Sequence, residues 1–109
     1  MNWMQVGVLD DIPRQGSRVV NTPQGEIALF RSVDDRVFAL NNRCPHKGGP
    51  LSQGIVHGTR VTCPMHNWVI DLETGSAVAP DVGCAHRHEV REQYGVLFLN
   101  VETDTCRAA

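Results

Sequence analysis

Cys44-Pro45-His46-Lys47-Gly48-Gly49-Pro50 and Cys63-Pro64-Met65-His66-Asn67-Trp68 are two short stretches of one kind, each placing a thiol and an imidazole in a proline-containing turn. Sixteen residues lie between His46 and Cys63, so the full pattern is C-x-H-x16-C-x2-H. A Cys and a His one residue apart share a face of an extended strand, but their unequal side-chain lengths make it awkward to close both on one tetrahedral ion. Two irons remove that difficulty. Each loop can place its Cys on one iron and its His on the other, so that one iron holds both thiolates and the other both imidazoles. The sequence therefore points to a [2Fe-2S] cluster held by Cys44, His46, Cys63 and His66. A single zinc ion is the alternative, and its usual spacings pair like with like, which neither loop does.

This ligand set also determines the chemistry. Two neutral imidazoles in place of two thiolates make the cluster about two charge units less negative than an all-thiolate one, so an added electron is held more favourably. One-electron uptake and release is the expected activity. An imidazole on oxidised iron loses its outer proton more readily, so electron uptake is expected to become proton-coupled at higher pH. Nothing else resembles a substrate site. The chain has no G-x-G-x-x-G unit and no sirohaem-ligand pattern, so catalysis is not expected of the domain alone.

Outward from the loops, the chain reads as short strands. Trp3 to Val8 is expected to be an edge strand, Asp10 to Pro13 a turn, and Arg18 to Asn21 a strand that Thr22-Pro23-Gln24-Gly25 turns into a hairpin with Glu26 to Ser32. Asp34-Asp35 turns the chain again. Arg36 to Asn41 then alternates Val37 and Ala39 against Phe38 and Leu40. Between the ligand loops, Leu51 to Val56 and Arg60 to Thr62 form a small hairpin that pre-positions both loops by sheet hydrogen bonds. Trp68 to Asp71 is a further strand, Leu72 to Gly75 a turn and Ala77 to Asp81 a loop. Cys84 to Arg91 and Val96 to Val101 make a last hairpin about Glu92 to Gly95. Val96-Leu97-Phe98-Leu99, apolar on both faces, is expected to be the most buried strand. Turn residues recur roughly every eight to twelve positions with no sustained helical period, which indicates an all-β sandwich or barrel.

At 109 residues the chain is expected to be one domain, 1–109, with a cluster-binding subdomain over about 42–71, a β base over 3–41 and 76–101, and a frayed tail over 103–109. A formal charge of −2 and a pI near 6.2, with basic residues scattered, give no nucleic-acid signature. No apolar run reaches membrane-spanning length, and Met1 to Met4 does not open a secretory signal, so no membrane is expected and the compartment is expected to be the cytoplasm. In that compartment Cys84 is expected to be a buried free thiol in preference to the alternative, a structural bridge to Cys106 in the polar tail. His57, His86 and His88 are expected to be ordinary strand or surface histidines, Trp68 to pack below its loop, and Trp3 to anchor the first strand.

Cys44-Pro-His46 with Cys63-Pro-Met-His66 resembles the Rieske domains, and Trp3 to Val101 is similar to the small subunit of assimilatory NAD(P)H nitrite reductase. Two stretches carry the likeness, R-C-P-H-K-G-G-P-L-S-Q-G-I-V-H from Arg43 to His57 and V-T-C-P-M-H-N-W-V-I-D-L-E-T-G from Val61 to Gly75. The resemblance implies a Rieske fold, a small cluster-binding subdomain on a larger antiparallel base. It also implies a large-subunit partner holding flavin, an iron-sulfur cluster and sirohaem, which reduces nitrite to ammonium in nitrate assimilation. Some members of that family lack the ligands, and this chain keeps all four. The other reading is a free Rieske ferredoxin that takes electrons from a flavin reductase to an aromatic-ring oxygenase. Respiratory Rieske proteins carry an extra Cys in each loop, joined as a disulfide, where this chain has Gly49 and Met65. They also carry a serine where this chain has Trp68. Without that hydroxyl donor to a cluster sulfur, the resemblance implies a potential low in the Rieske span. Pro80 resembles the third loop that covers the cluster.

Overall fold

Within residues 3–101, the computed structural model describes 3–23, 25–44, 49–64, 67–78 and 83–101. Ten strands form three antiparallel sheets among them. The strands are β1 (Trp3–Val8), β2 (Ser17–Thr22), β3 (Gly25–Arg31), β4 (Val37–Asn41), β5 (Ile55–His57), β6 (Arg60–Thr62), β7 (Val69–Asp71), β8 (Arg87–His88), β9 (Val90–Gln93) and β10 (Val96–Asn100). Sheet orders are β1-β10-β9, β2-β3-β4-β8 and β5-β6-β7. The chain is all-β, as the turn spacing indicates, and β1 is an edge strand. Thr22 pairs with Gly25 to close the first hairpin, and Gln93 pairs with Val96 across a two-residue turn. That second turn needs positive φ at both positions, and Tyr94 (54°) and Gly95 (82°) supply it.

The strand alternation of β3 and β4 divides the interior into two cores. Ile27 and Leu29 of β3, with Val37 and Ala39 of β4, face one core alongside Val6, Leu97 and Leu99. Ala28 and Phe30, with Phe38 and Leu40, face the other, where Val56, Val61 and Ile70 close it from the third sheet. Those last three residues are the centres of β5, β6 and β7 and lie in one cross-strand row. Period-2 geometry thus makes β3 and β4 the floor of one core and the ceiling of the next.

Three expectations need correction here. The most buried strand is β3, fully buried from Ile27 to Phe30, whereas Val96 and Phe98 of β10 are only half-buried. The cause is that β3 lies between two layers, while β10 packs by one face. Cys84 to Arg91 is not one strand: it breaks at Glu89, with β8 pairing β4 and β9 pairing β10. Glu89 marks the crossing between sheets, and its carbonyl accepts the Asn100 N–H at 3.0 Å. Cys84 is half-buried and disulfide-bonded, not a free thiol. Such pairing depends on tertiary proximity that Cys spacing does not encode. Cys106 lies outside the described residues.

The turn after β3 carries an ion network. Asp35 accepts from Arg14 at 3.0 and 3.2 Å and from Arg31 at 2.8 and 3.0 Å, while the buried Arg31 also donates to the Ile12 carbonyl at 2.9 Å. Hydrogen bonds from Arg14 first, then Arg31, hold the Asp35 carboxyl below its usual 3.8. A folded value below the unfolded one contributes stability above pH 3.8 and loses it as pH falls through the folded value. The urea midpoint of Asp35→Asn is therefore expected to lie below that of the parent by a constant amount at neutral pH and to converge on it below about pH 4. A difference that does not shrink as pH falls below 3.8 contradicts the assignment.

Candidate metal centre

Each ligand loop is pinched at its cysteine by one backbone bond. The Cys44 N–H donates to the Gly49 carbonyl at 2.7 Å, and the Cys63 N–H donates to the Trp68 carbonyl at 2.7 Å. Both bonds run to the residue five positions on (44 to 49, 63 to 68), so the two loops share one closure as well as one composition. Cys44 lies three positions beyond the end of β4, across a bend at Asn42 and Arg43, and Cys63 directly follows β6.

Cys44 and Cys63 are both buried and outside any disulfide, and both belong to the core that contains Phe30, Leu40, Val61 and Ile70. Trp68 is half-buried against the same core, as expected of a side chain packed below its loop. His46 and His66 lie outside the described residues, as do Lys47, Gly48, Met65 and Pro80. Among the described residues no group of three or more His, Cys, Asp or Glu side chains converges, so what is described is the thiol half of the set. His57 is exposed with Nε2 2.7 Å from Thr62 Oγ1, and His86 is exposed. His88 is buried, with Nδ1 3.3 Å from the Asn100 carbonyl and Nε2 3.0 Å from Asn41 Oδ1. All three are strand or surface histidines.

Asn42 is the residue that sequence reasoning missed. Its N–H donates to the Glu26 carbonyl at 3.0 Å, its Nδ2 to Glu26 Oε1 at 3.2 Å, and its Oδ1 accepts the Ser52 N–H at 2.8 Å. It ties the root of the first loop to β3 on one side and to the turn before β5 on the other. An Asn at a strand end is the one available signal, and it is a weak one. On the far side, Gly75 sits at φ 81° with a notional Cβ 2.3 Å from the Ala85 carbonyl oxygen, so only glycine lets Ala85 pack so closely into the core to which Cys63 also belongs.

The residues fit an iron-sulfur centre on the chemistry of the donors. Two buried thiols outside any disulfide, held in a common apolar core at the mouths of matched loops, are soft ligands removed from water. The fold and these thiols define an all-β iron-sulfur domain. The Rieske [2Fe-2S] domain family matches residues 2–95, and the chain belongs to that family and carries its [2Fe-2S] cofactor. It is a Rieske electron-transfer domain. Its sequence is 34% identical over 100 residues to the anthranilate 1,2-dioxygenase ferredoxin subunit of Burkholderia cepacia, covering 91% of this chain and 92% of that one. The ferredoxin of carbazole 1,9a-dioxygenase from Nocardioides aromaticivorans shares the fold, with a TM-score of 0.82 at 22% identity over 91% of this chain and 97% of that one. A protein assigned as the small subunit of an NADPH nitrite reductase also shares it, with a TM-score of 0.80 at 21% identity over 93% and 100%. No helix among the described residues is long and apolar enough to cross a membrane.

Proposed function

We propose that this chain is a free-standing Rieske ferredoxin that carries single electrons from a flavin reductase to an aromatic-ring oxygenase. The observation that carries this reading is the end-to-end likeness to a dioxygenase ferredoxin subunit, 34% identical across 92% of that protein. In this reading 1–109 is one domain with the 42–71 subdomain at its tip, working in the cytoplasm. Cys44 and Cys63 would hold the cluster through their thiolates, and His46 and His66 through their imidazoles. When bound, the cluster accepts and returns one electron at a time. The chain's own residues do the rest. The two pinched loops fix both sulfurs, Asn42 fixes the first loop against β3, and Phe30, Leu40 and Ile70 keep water from the thiolate side.

A second reading is the small subunit of assimilatory NAD(P)H nitrite reductase, partnered by a large subunit with flavin, iron-sulfur cluster and sirohaem. The Arg43–His57 and Val61–Gly75 stretches favour it. Purification of the tagged chain from its native cells separates the two. Recovery of the chain alone, with electron transfer to an oxygenase, is expected; a stable complex with a sirohaem flavoprotein overturns the carrier reading in favour of the second. In either case Trp68, standing where respiratory proteins have a serine hydroxyl, leads to a midpoint potential nearer about −150 mV than +300 mV. Protein-film voltammetry giving a value above about +150 mV contradicts this.

A further inference from the structure

The chain leaving the first ligand loop enters a single 3-10 turn, Leu51–Gln53, before β5. Two rungs of its ladder are in place, from the Gln53 N–H to the Pro50 carbonyl at 3.1 Å and from the Gly54 N–H to the Leu51 carbonyl at 2.9 Å. The rung before them would run from the Ser52 N–H to the Gly49 carbonyl, three residues back. The Gly49 carbonyl instead accepts the Cys44 N–H at 2.7 Å, and the Ser52 N–H donates to Asn42 Oδ1 at 2.8 Å. The first donors of such a turn lack partners unless a side chain at its cap accepts them. Here the cap position is Pro50, whose side chain makes no such bond, so the acceptor comes from Asn42, 10 positions upstream. The Asn42 amide is oriented for this, because its Nδ2 donates to Glu26 Oε1 at 3.2 Å and a carboxylate only accepts. On the other side of the same residue, the Ser52 carbonyl accepts the Ser17 hydroxyl at the start of β2.

We propose that Asn42 and Ser17 are positioning residues of the first ligand loop, which together engage the Ser52 backbone and so reserve the Gly49 carbonyl for the N–H of Cys44. This deepens the proposed function and rests on it in taking Cys44 as a cluster ligand. With Oδ1 removed, the Ser52 N–H competes for the Gly49 carbonyl, the turn extends backward by one residue, and the closure beside the first thiol weakens. The second loop is held otherwise. Cys63 directly follows β6 and Trp68, whose carbonyl closes that loop, directly precedes β7, so two paired strands of one sheet hold its ends. The first loop runs between β4 and a turn, and its ends are joined by side chains.

The test follows iron release from the holoprotein to a chelator under native conditions, together with hydrogen exchange of the Cys44 amide. Asn42→Ala is expected to release iron about tenfold faster than the parent. Its Cys44 amide should exchange faster, while the amides of β1 and β10 keep their protection. Ser17→Ala, which frees the same residue from the other side, is expected to move both readouts in the same direction, and it carries the test if Asn42→Ala does not fold. Asn42→Asp combined with Glu26→Gln keeps an oxygen for the Ser52 N–H and reverses the bond to position 26, so it is expected to restore iron release to within about twofold of the parent. Release at the parent rate from Asn42→Ala, or release from the double variant as fast as from Asn42→Ala, overturns the proposal. Failure of the cluster reading has a different signature, full iron retained by Cys44→Ala. Exchange at the Cys44 amide of Asn42→Ala then decides the proposal alone, since that closure involves no metal, and an unchanged rate overturns it.

Discussion

Cys63→Ala is expected to give a folded, colourless protein. Visible absorption and the electron-spin signal of the reduced cluster should vanish, and iron should fall from about two per chain to background. The thiol removed is one buried heavy atom in an otherwise apolar site, so the direct packing loss is small, about 1 kcal/mol. The core formed by Val6, Ile27, Leu29, Leu97 and Leu99 contains neither ligand loop, so the sheets around it keep their contacts. Far-ultraviolet circular dichroism should therefore remain that of a β protein. His46→Ala is expected to behave alike. Retention of full iron and spectrum by either variant would remove that residue from the ligand set, and global unfolding would make the metal integral to the whole fold.

The parts of this molecule that are legible from sequence are those where a local rule decides. Alternation in Val37-Phe38-Ala39-Leu40 allots those four side chains to two cores, two to each, as the period requires. The two loops, matched in composition, also close alike, each by a bond from its Cys N–H to the carbonyl five positions on. What escaped was decided by a third layer. Ile27-Ala28-Leu29-Phe30 and Val96-Leu97-Phe98-Leu99 are equivalent as apolar runs, and only the placement of the β5-β6-β7 sheet makes the first run the buried one. Phe98 instead shares the outer face of its sheet with Trp3, over whose ring Arg91 lies at 4.7 Å. The Asn42 brace was hidden for a similar reason, because its partners Glu26 and Ser52 are distant along the chain and become neighbours only on folding.

That shared strand leads to the second large expected effect. Leu29 and Phe30 are consecutive, both fully buried, and face opposite cores, so truncating each probes one layer from the same backbone. Phe30→Ala should destabilise the protein by about 3–5 kcal/mol and Leu29→Ala by about 2–5 kcal/mol, values large enough to consume much of a small domain's stability. The two differ in what fails first. Phe30 packs in the core that holds Cys44 and Cys63, so its loss should loosen the loop mouths and speed cluster loss to a chelator while the protein is still folded. Leu29 packs against the Leu97 and Leu99 side, so its loss should lower the urea midpoint with cluster release following global unfolding. Equal rates of iron loss from both variants under native conditions would mean that the two cores open together, and that β3 acts as one cooperative unit instead of a partition between them.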